Sequence, residues 1–299
     1  QVIVAYIDSY KERFGVEPIC SVLTEHGITI ASSTYHAHKA VPISPAALED
    51  AYTANALYTL WEENWRVYGA RKLHNAAQRA GIDIGRDQVA RLMKIAGIAG
   101  AVRGRHTTRT TVRDESATRH PDLVKRAWHA PTSTDELWVA DFSYVWTLTG
   151  FVYVAFIIDA FDREIIAWTA VANAGISGSD VRDMMLEAVE KRFGATRAPH
   201  AIEHLSDNGS AYTARDTRLF AQALNLTPCF TPVASPQSNG MSEAFVKTLK
   251  RDYVRISQVP DAETALRLID GWIEDYNEIH PHSALKMASP RQFIRAKST

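Results

Sequence analysis

The chain is poor in cysteine: only Cys20 and Cys229 occur in 299 residues, far apart and outside any CxxC or Cys/His zinc spacing. That scarcity excludes a disulfide-stapled fold and a zinc module, and two reduced thiols in a cytosolic protein are expected instead. Long apolar runs are also missing. None reaches the roughly 18 residues of a membrane span, and the longest candidate, FVYVAFIIDAF, reads as one buried strand. No secretory signal is visible, so the cytoplasm is the expected compartment. Composition carries little bias, with 46% hydrophobic and 22% charged residues and a net charge of −1. At this length two or three domains are expected. The first residue is Gln1 rather than Met, as in a chain that is processed, trimmed or translated as the continuation of an upstream frame.

Acidic residues are scarce in one window. From Arg66 to Arg113 there are eleven Lys or Arg, opposed only by Asp83 and Asp87, a local charge of +9. A local basic field, rather than the whole-chain balance, governs attraction to phosphate. The first half of the window fits a solvated helix face. The second half, with Arg103, Arg105 and Arg109 among Thr and Gly, has no acidic neighbours to pair with.

Apolar spacing places two helix-turn-helix patterns in and before this window. In the first, a helix with Ile3, Tyr6, Ile7 and Tyr10 on one stripe precedes VEPICSVLTEHG, where Ile19, Val22 and Leu23 continue a stripe that Gly27 ends. Ser32 or Ser33 then caps SSTYHAHKA, whose His36 and His38 read as a polar face. A helix from about Pro45 to Trp65 precedes the second pattern. There YGARKLHNAAQRAG (Leu73, Ala76, Ala77, Ala80) and RDQVARLMKIAG (Val89, Leu92, Met93, Ala96) end at Gly81 and Gly97. Arg71, Lys72, Arg86, Arg91 and Lys94 fall on its polar positions. Such units are common as plain helical hairpins, but two in series before a basic linker favour DNA.

After the linker and a short helix, HPDLVKRAWHA, strong strand patterns begin. LWVADFSYVWTL and FVYVAFIIDAFD flank a Thr149-Gly150 turn, EIIAWTAV follows, and helices then alternate with strands. Three consecutive strands followed by alternation give a mixed α/β sheet with helices on its faces. Trp138, Trp146 and Trp168 read as core or sheet-face residues. Trp272 and Tyr276 lie on one face of a late helix expected to pack on the sheet.

Three acids stand at strand ends or at a helix start: Asp141 in LWVADFSYV, Asp207 in IEHLSDNGS and Glu243 in SPQSNGMSEAFVKTLK, with thirty-five residues, Asn208 to Ser242, between the last two. Hard divalent cations take a few oxygen ligands plus substrate phosphates. Two such ions can clamp the attacking and leaving oxygens of a phosphodiester, so the three acids point to metal-dependent phosphoryl transfer on nucleic acid. Gathered without a cation they would repel one another. Asp159 is the competing acid, and its place at the end of the second strand fits a turn role. Lys247 and Lys250 follow Glu243 at four and seven positions. A Glu243–Lys247 pair would contribute only a few tenths of a kcal/mol, and phosphate contacts are the expectation for both lysines. Asn239 and Gly240 open the helix, where backbone amides can approach DNA.

This order of strands and acids matches the ribonuclease-H-like fold of DDE transposases and retroviral integrases. Residues 45–299 resemble the catalytic reading frame of a bacterial insertion-sequence transposase family, through YGARKLH, LWVADFSYV, LSDNGSAY, SPQSNGMSEAFVKTLKRDY and YNEIHPHSALKMASPRQF. The family often has Arg-Pro-His where this chain has His280-Pro281-His282. The resemblance implies an α/β fold, a ribonuclease-H-like mixed sheet with helices on both faces, preceded by all-α helix-turn-helix units. The expected domains are a helix-turn-helix unit at 1–42 and a second, DNA-binding one at 43–100. A basic linker and connector helix follow at 101–130, the catalytic core at 131–258 and a C-terminal helical extension at 259–299.

Asp141, Asp207 and Glu243 are then the catalytic and metal-ligating residues, with two Mg²⁺ as cofactors and Mn²⁺ able to substitute. Phosphate or DNA contacts are expected from Lys247, Lys250, Asn239, Arg71, Lys72, Arg86, Arg91, Arg103, Arg105 and Arg109. The partners implied are the DNA of element ends and target, other copies of the chain in a synaptic complex, and an upstream-frame fusion partner. The chain would be cytoplasmic and nucleoid-associated when DNA-bound. Two other readings stay open at this point: a simple metal-dependent nuclease of the same fold, and a domesticated DNA-binding protein without catalysis.

Overall fold

The structure is a computed structural model that describes residues 2–40, 44–102, 131–172, 175–231 and 240–297. The chain divides into two compact units, Gln1–Leu57 and Tyr58–Thr299. The division falls within helix α4 (Pro45–Glu63), not at the 42/43 step expected from sequence. No helix among the described residues is long and apolar enough to cross a membrane.

In the first unit, α1 (Val2–Phe14), α2 (Val16–Glu25) and α3 (Ser32–Ala40) bury Ile7, Ile19, Cys20 and Tyr35. Gly15, at φ 80°, makes the sharp turn between α1 and α2. The stripe expected on α1 is only partly the buried one: Ile3, Tyr6 and Tyr10 are exposed, and Val4 packs beside Ile7 instead. Three short helices cannot cover two apolar faces of one helix. Val22, expected on the α2 stripe, is likewise exposed and Cys20 is buried in its stead. Asp8 fastens α1 to α3 by accepting from the Tyr35 hydroxyl at 2.8 Å and pairing with Lys39 at 3.1 Å. Those donors hold its carboxyl well below the usual range. His36 and His38 are exposed, as a polar face requires.

In the second unit, α5 (Ala70–Arg79) and α6 (Arg86–Ile95) pack through Leu73, Ala77, Val89, Leu92 and Met93. Five strands follow: β1 (Leu137–Thr147), β2 (Gly150–Asp159), β3 (Ile165–Ala172), β4 (Ile202–Ser206) and β5 (Leu226–Phe230). They form one sheet in the order β3-β2-β1-β4-β5. The first three make an antiparallel meander through tight turns, and β4 and β5 run parallel to β1. Each parallel step needs a crossover. These are α7 (Gly178–Phe193) before β4, and α8 (Ser210–Thr213) with α9 (Arg215–Ala223) before β5. A Ser177–Asp180 capping box starts α7, and Gly194 at φ 63° ends it.

Strand alternation sends successive β1 side chains to opposite faces. Trp138 and Ala140 meet Val181, Met184, Met185 and Ala188 of α7 on one side. Val145, with Val154 and Phe156 of β2, meets the other layer. That layer holds α10 (Gly240–Thr248), a π-helical turn at Leu249–Tyr253 and α11 (Ala262–Glu278). Trp272 and Tyr276 are buried there, so the late helix packs on the sheet as expected, as part of the core rather than an extension beyond it. Asn277 ties it further by exchanging two hydrogen bonds with the Ile165 backbone, at 2.9 and 3.0 Å. The chain ends with α12 (Pro290–Lys297).

Asp159 is structural. It is buried and accepts from the backbone N–H groups of Asp135, Phe161 and Asp162. Arg192 of α7 pairs with Asp162 at 2.7 Å and Glu164 at 3.1 Å, fastening the helix to the β2–β3 turn. Burial, then the neighbouring Asp159 charge, pushes the Asp162 carboxyl up to about 7.

Candidate active site

Neighbouring parallel strands carry the two aspartates, Asp141 within β1 and Asp207 just after β4. Along the β1–β4 pair each residue faces the one 66 positions later: Leu137 with Glu203, Trp138 with His204 and Val139 with Leu205. The pairing ends there; Asp141 lies two residues farther along β1, on the face of Val139, and Asp207 two residues after Leu205, just past the end of β4. That face is the α10 side. Val139 and Leu205 form a buried cluster against which Met241, near the start of α10, is packed.

Local hydrogen bonds fix both carboxylates. Asp141 Oδ1 accepts from the Phe142 N–H at 2.8 Å, and Asp207 Oδ1 accepts from the Gly209 N–H at 2.9 Å. The second bond needs a residue without a side chain. A Cβ on Gly209 would stand 2.9 Å from the Asp207 oxygen. The Asn208 amide holds the same turn to β5 by donating to the Thr231 carbonyl at 2.7 Å.

Glu243 lies on the helix that packs against this face of the sheet. Phe156, the cross-strand partner of Asp141, lies with its ring 4.6 Å from that of Phe245 on α10, two residues beyond Glu243. The Glu243 carboxylate is exposed and pairs with Lys247 at 2.7 Å. Thus the ion pair, rather than a lysine open to phosphate, is what this structure holds. Among the described residues no three His, Cys, Asp or Glu side chains converge closely enough to hold a metal ion. Two of the acids lie on neighbouring strands, one within β1 and one just past β4, and the third stands on the helix that packs on the sheet.

Lys250 falls in the π-helical turn, with its Nζ 4.2 Å from the centre of the Tyr144 ring. Burial lowers its pKa. Arg71 and Arg86 are exposed and line one shallow cleft between α5 and α6, with His74, Asn75 and Gln88. Arg91 is also at the surface. Arg103, Arg105, Arg109 and Asn239 lie outside the described residues.

Lys72 departs from expectation. Instead of pointing to solvent it turns inward, donating to His280 Nε2 at 2.7 Å and pairing with Asp252 at 3.4 Å. Burial pushes it down to about 8. Arg79 joins it by donating to the carbonyls of Ile279 and Met287 at 2.9 and 2.6 Å. His280 and His282 are structural parts of this seam. His280 is buried and His282 half-buried, and desolvation holds both neutral, with His282 lowered to about 4. Helix α5 therefore spends part of its basic face on the rest of its own unit.

One residue within the electrostatic reach of the aspartates carried no expected role. Tyr212 of α8 is 2% exposed, stacks on Phe142 at 4.7 Å and has no hydrogen-bond partner for its hydroxyl. Burial, then the charges of Asp141 and Asp207, raises its pKa. The signal was present in LSDNGSAY, where an aromatic sits five residues after the acid.

Comparison with known proteins follows this architecture. Residues 131–236 and 224–290 match the family described as Integrase core domain, and residues 47–106 match the HTH-like domain. The chain is 95% identical over 147 residues to an Insertion element IS136 uncharacterized protein of Agrobacterium tumefaciens (strain T37), covering 49% of this chain and 75% of that relative. It is 48% identical over 145 residues to the Putative transposase InsD for insertion element IS2E of Escherichia coli (strain K12), covering 48% of this chain and 66% of the relative. The crystal structure of the catalytic domain of Mos1 mariner transposase aligns at TM-score 0.41 and 14% identity, over 47% of this chain and 70% of that one. The sheet order and the matched domains define an integrase-type core behind a helix-turn-helix-like unit. The chain belongs to the insertion-sequence DDE transposases.

Proposed function

We propose that this chain catalyses metal-dependent DNA strand cleavage and then strand transfer by a freed 3′-hydroxyl, at Asp141, Asp207 and Glu243. What supports the reading is that β1 and β4 are neighbouring parallel strands, with Asp141 two residues past the last β1 pairing and Asp207 two residues past its β4 partner. The donor set suits a hard divalent cation such as Mg²⁺ or Mn²⁺, because it consists of carboxylate oxygens and no thiolate or imidazole. Tyr212, buried with its hydroxyl unpartnered and within the electrostatic reach of both acids, is a further polar group that a filled site can use.

Asp141 and Asp207 would hold a pair of such ions, with Glu243 joining them on leaving Lys247. When bound, the ions polarise the scissile phosphate and lower the pKa of attacking water or hydroxyl. The chain supplies position. Backbone N–H groups keep the two aspartate rotamers fixed, the packing of Phe245 on Phe156 holds the Glu243 helix against the sheet, and Lys247, once released, faces phosphate. Arg71 and Arg86, with Arg91 and the basic run at Arg103, Arg105 and Arg109, would hold the duplex by its backbone, and Asn239 would meet it at the start of α10. Lys72 is no longer among these contacts. Two DNA ends must be held at once, so more than one copy of the chain would act together.

The test is Asp141→Asn with labelled end DNA and Mg²⁺. Cleavage is expected to fall by at least a hundredfold while DNA affinity stays within about twofold; unchanged Mg²⁺-dependent cleavage rules the assignment out.

A further inference from the structure

The β1–β2 hairpin extends past the helices that cover it. On the α7 side the buried cluster takes Trp138 and Ala140 from β1 and Ala155 and Ile157 from β2, with Phe142 packed at its margin. Farther along, the same face carries Tyr144 and Trp146 of β1, with Tyr153 and Phe151 directly across on β2. The four rings form one block. Trp146 and Phe151 lie 5.0 Å apart, Tyr144 and Phe151 5.6 Å, and Phe151 and Tyr153 6.3 Å. Yet Trp146 is 69% exposed and Tyr144 47%. Reading Trp146 as a sheet-face residue was right about its face, but that face is open to solvent. A single exposed aromatic needs no explanation, whereas a contiguous aromatic patch marks a binding surface.

Charge narrows the occupant. No charged residue occurs from Phe142 to Ile158. Among the described residues, the cation that reaches the block is Lys250, poised over Tyr144 from the π-helical turn that continues the helix bearing Glu243. Pairing with β4 involves Leu137 to Val139, so the remainder of β1 leads from the aspartate site to the block. Asp141 and Tyr144 are three positions apart on β1, about 10 Å of strand, and on opposite faces of the sheet; Lys250, from the layer on the Asp141 face, reaches round to the Tyr144 ring. Flat rings beside an ammonium, within a few nucleotides of phosphodiester chemistry, match unpaired nucleobases on an anionic backbone.

We infer that this face stacks unpaired bases of the DNA end next to the scissile phosphate, with Lys250 meeting the flanking phosphate. The inference rests on the transposase reading and adds a base-binding surface to it. A strand opened at its end would be held by ring stacking, largely without regard to sequence. The rival occupant is a second copy of the chain.

The experiment uses the full chain with two probes, an element-end duplex fully paired and the same duplex with its last three base pairs mismatched, carrying 2-aminopurine at an unpaired position. Wild type is expected to bind the mismatched probe more tightly and to quench its fluorescence. The double substitution Tyr144→Ala, Trp146→Ala should weaken binding to the mismatched probe roughly tenfold or more, remove the quench and leave the paired probe within about twofold. Trp146→Phe should retain most of the preference. Equal losses on both probes, or no loss, overturn the inference. Retained quenching with loss of self-association in sedimentation assigns the face to a second copy instead. Failure of wild type to bind either probe overturns the transposase reading and this one with it.

Discussion

Tyr212 shows what a single side chain can add to a pair of acids. A buried hydroxyl without a partner costs about 1–3 kcal/mol, and here it lies under the influence of two carboxylates, Asp141 and Asp207. Its ring is held by stacking on Phe142, the residue after Asp141, so the hydroxyl is positioned independently of any hydrogen bond. Tyr212→Phe removes the hydroxyl and keeps the stacking. The melting temperature should stay the same or rise by a few degrees, while the Mg²⁺ concentration for half-maximal cleavage increases several-fold. A lower melting temperature with unchanged Mg²⁺ dependence would make Tyr212 a packing residue only.

At the scale of elements, helix α5 serves two surfaces. Lys72 and Arg79 reach into the seam with Asp252, His280 and the Ile279 and Met287 carbonyls, while Arg71 stays on the open cleft with Arg86. Asp252 lies in the π-helical turn that continues the Glu243 helix, so α5 is joined directly to the element carrying the third acid. Lys72→Ala should destabilise the unit by about 1–3 kcal/mol, less than a fully buried pair because Arg251 also pairs with Asp252. Arg71→Ala should leave the melting temperature unchanged and weaken DNA binding with a reduced salt slope. Urea denaturation and salt-dependent binding titrations separate the two. Equal effects of both substitutions on DNA affinity, without loss of stability, would return Lys72 to the DNA surface.

For the molecule as a whole, legibility follows the range of the interactions. The strand positions of Asp141 and Asp207 could be read because each lies in or just after an apolar strand pattern, and strand pattern is local. Asp159 could be assigned to the β2–β3 turn for the same reason. The inward turn of Lys72 could not, because its partners Asp252 and His280 lie 180 and 208 positions away and helical spacing alone puts it on a polar face. The exposure of Trp146 escaped too, since alternation assigns a side chain to a face without saying how far the covering helices extend. Glu243 is placed on its helix by sequence, and the pair with Lys247 that helical spacing offered as the alternative to phosphate contact is the one the structure holds.

That ion pair is where the proposal is most exposed to test. The direct measurement is Mn²⁺ binding by calorimetry to the full chain with end DNA present, for wild type and for Glu243→Gln, alongside strand joining on the same DNA. Convergence of the three acids predicts that Glu243→Gln weakens Mn²⁺ at least tenfold and abolishes joined products. Wild-type affinity and wild-type joining in that variant would contradict it.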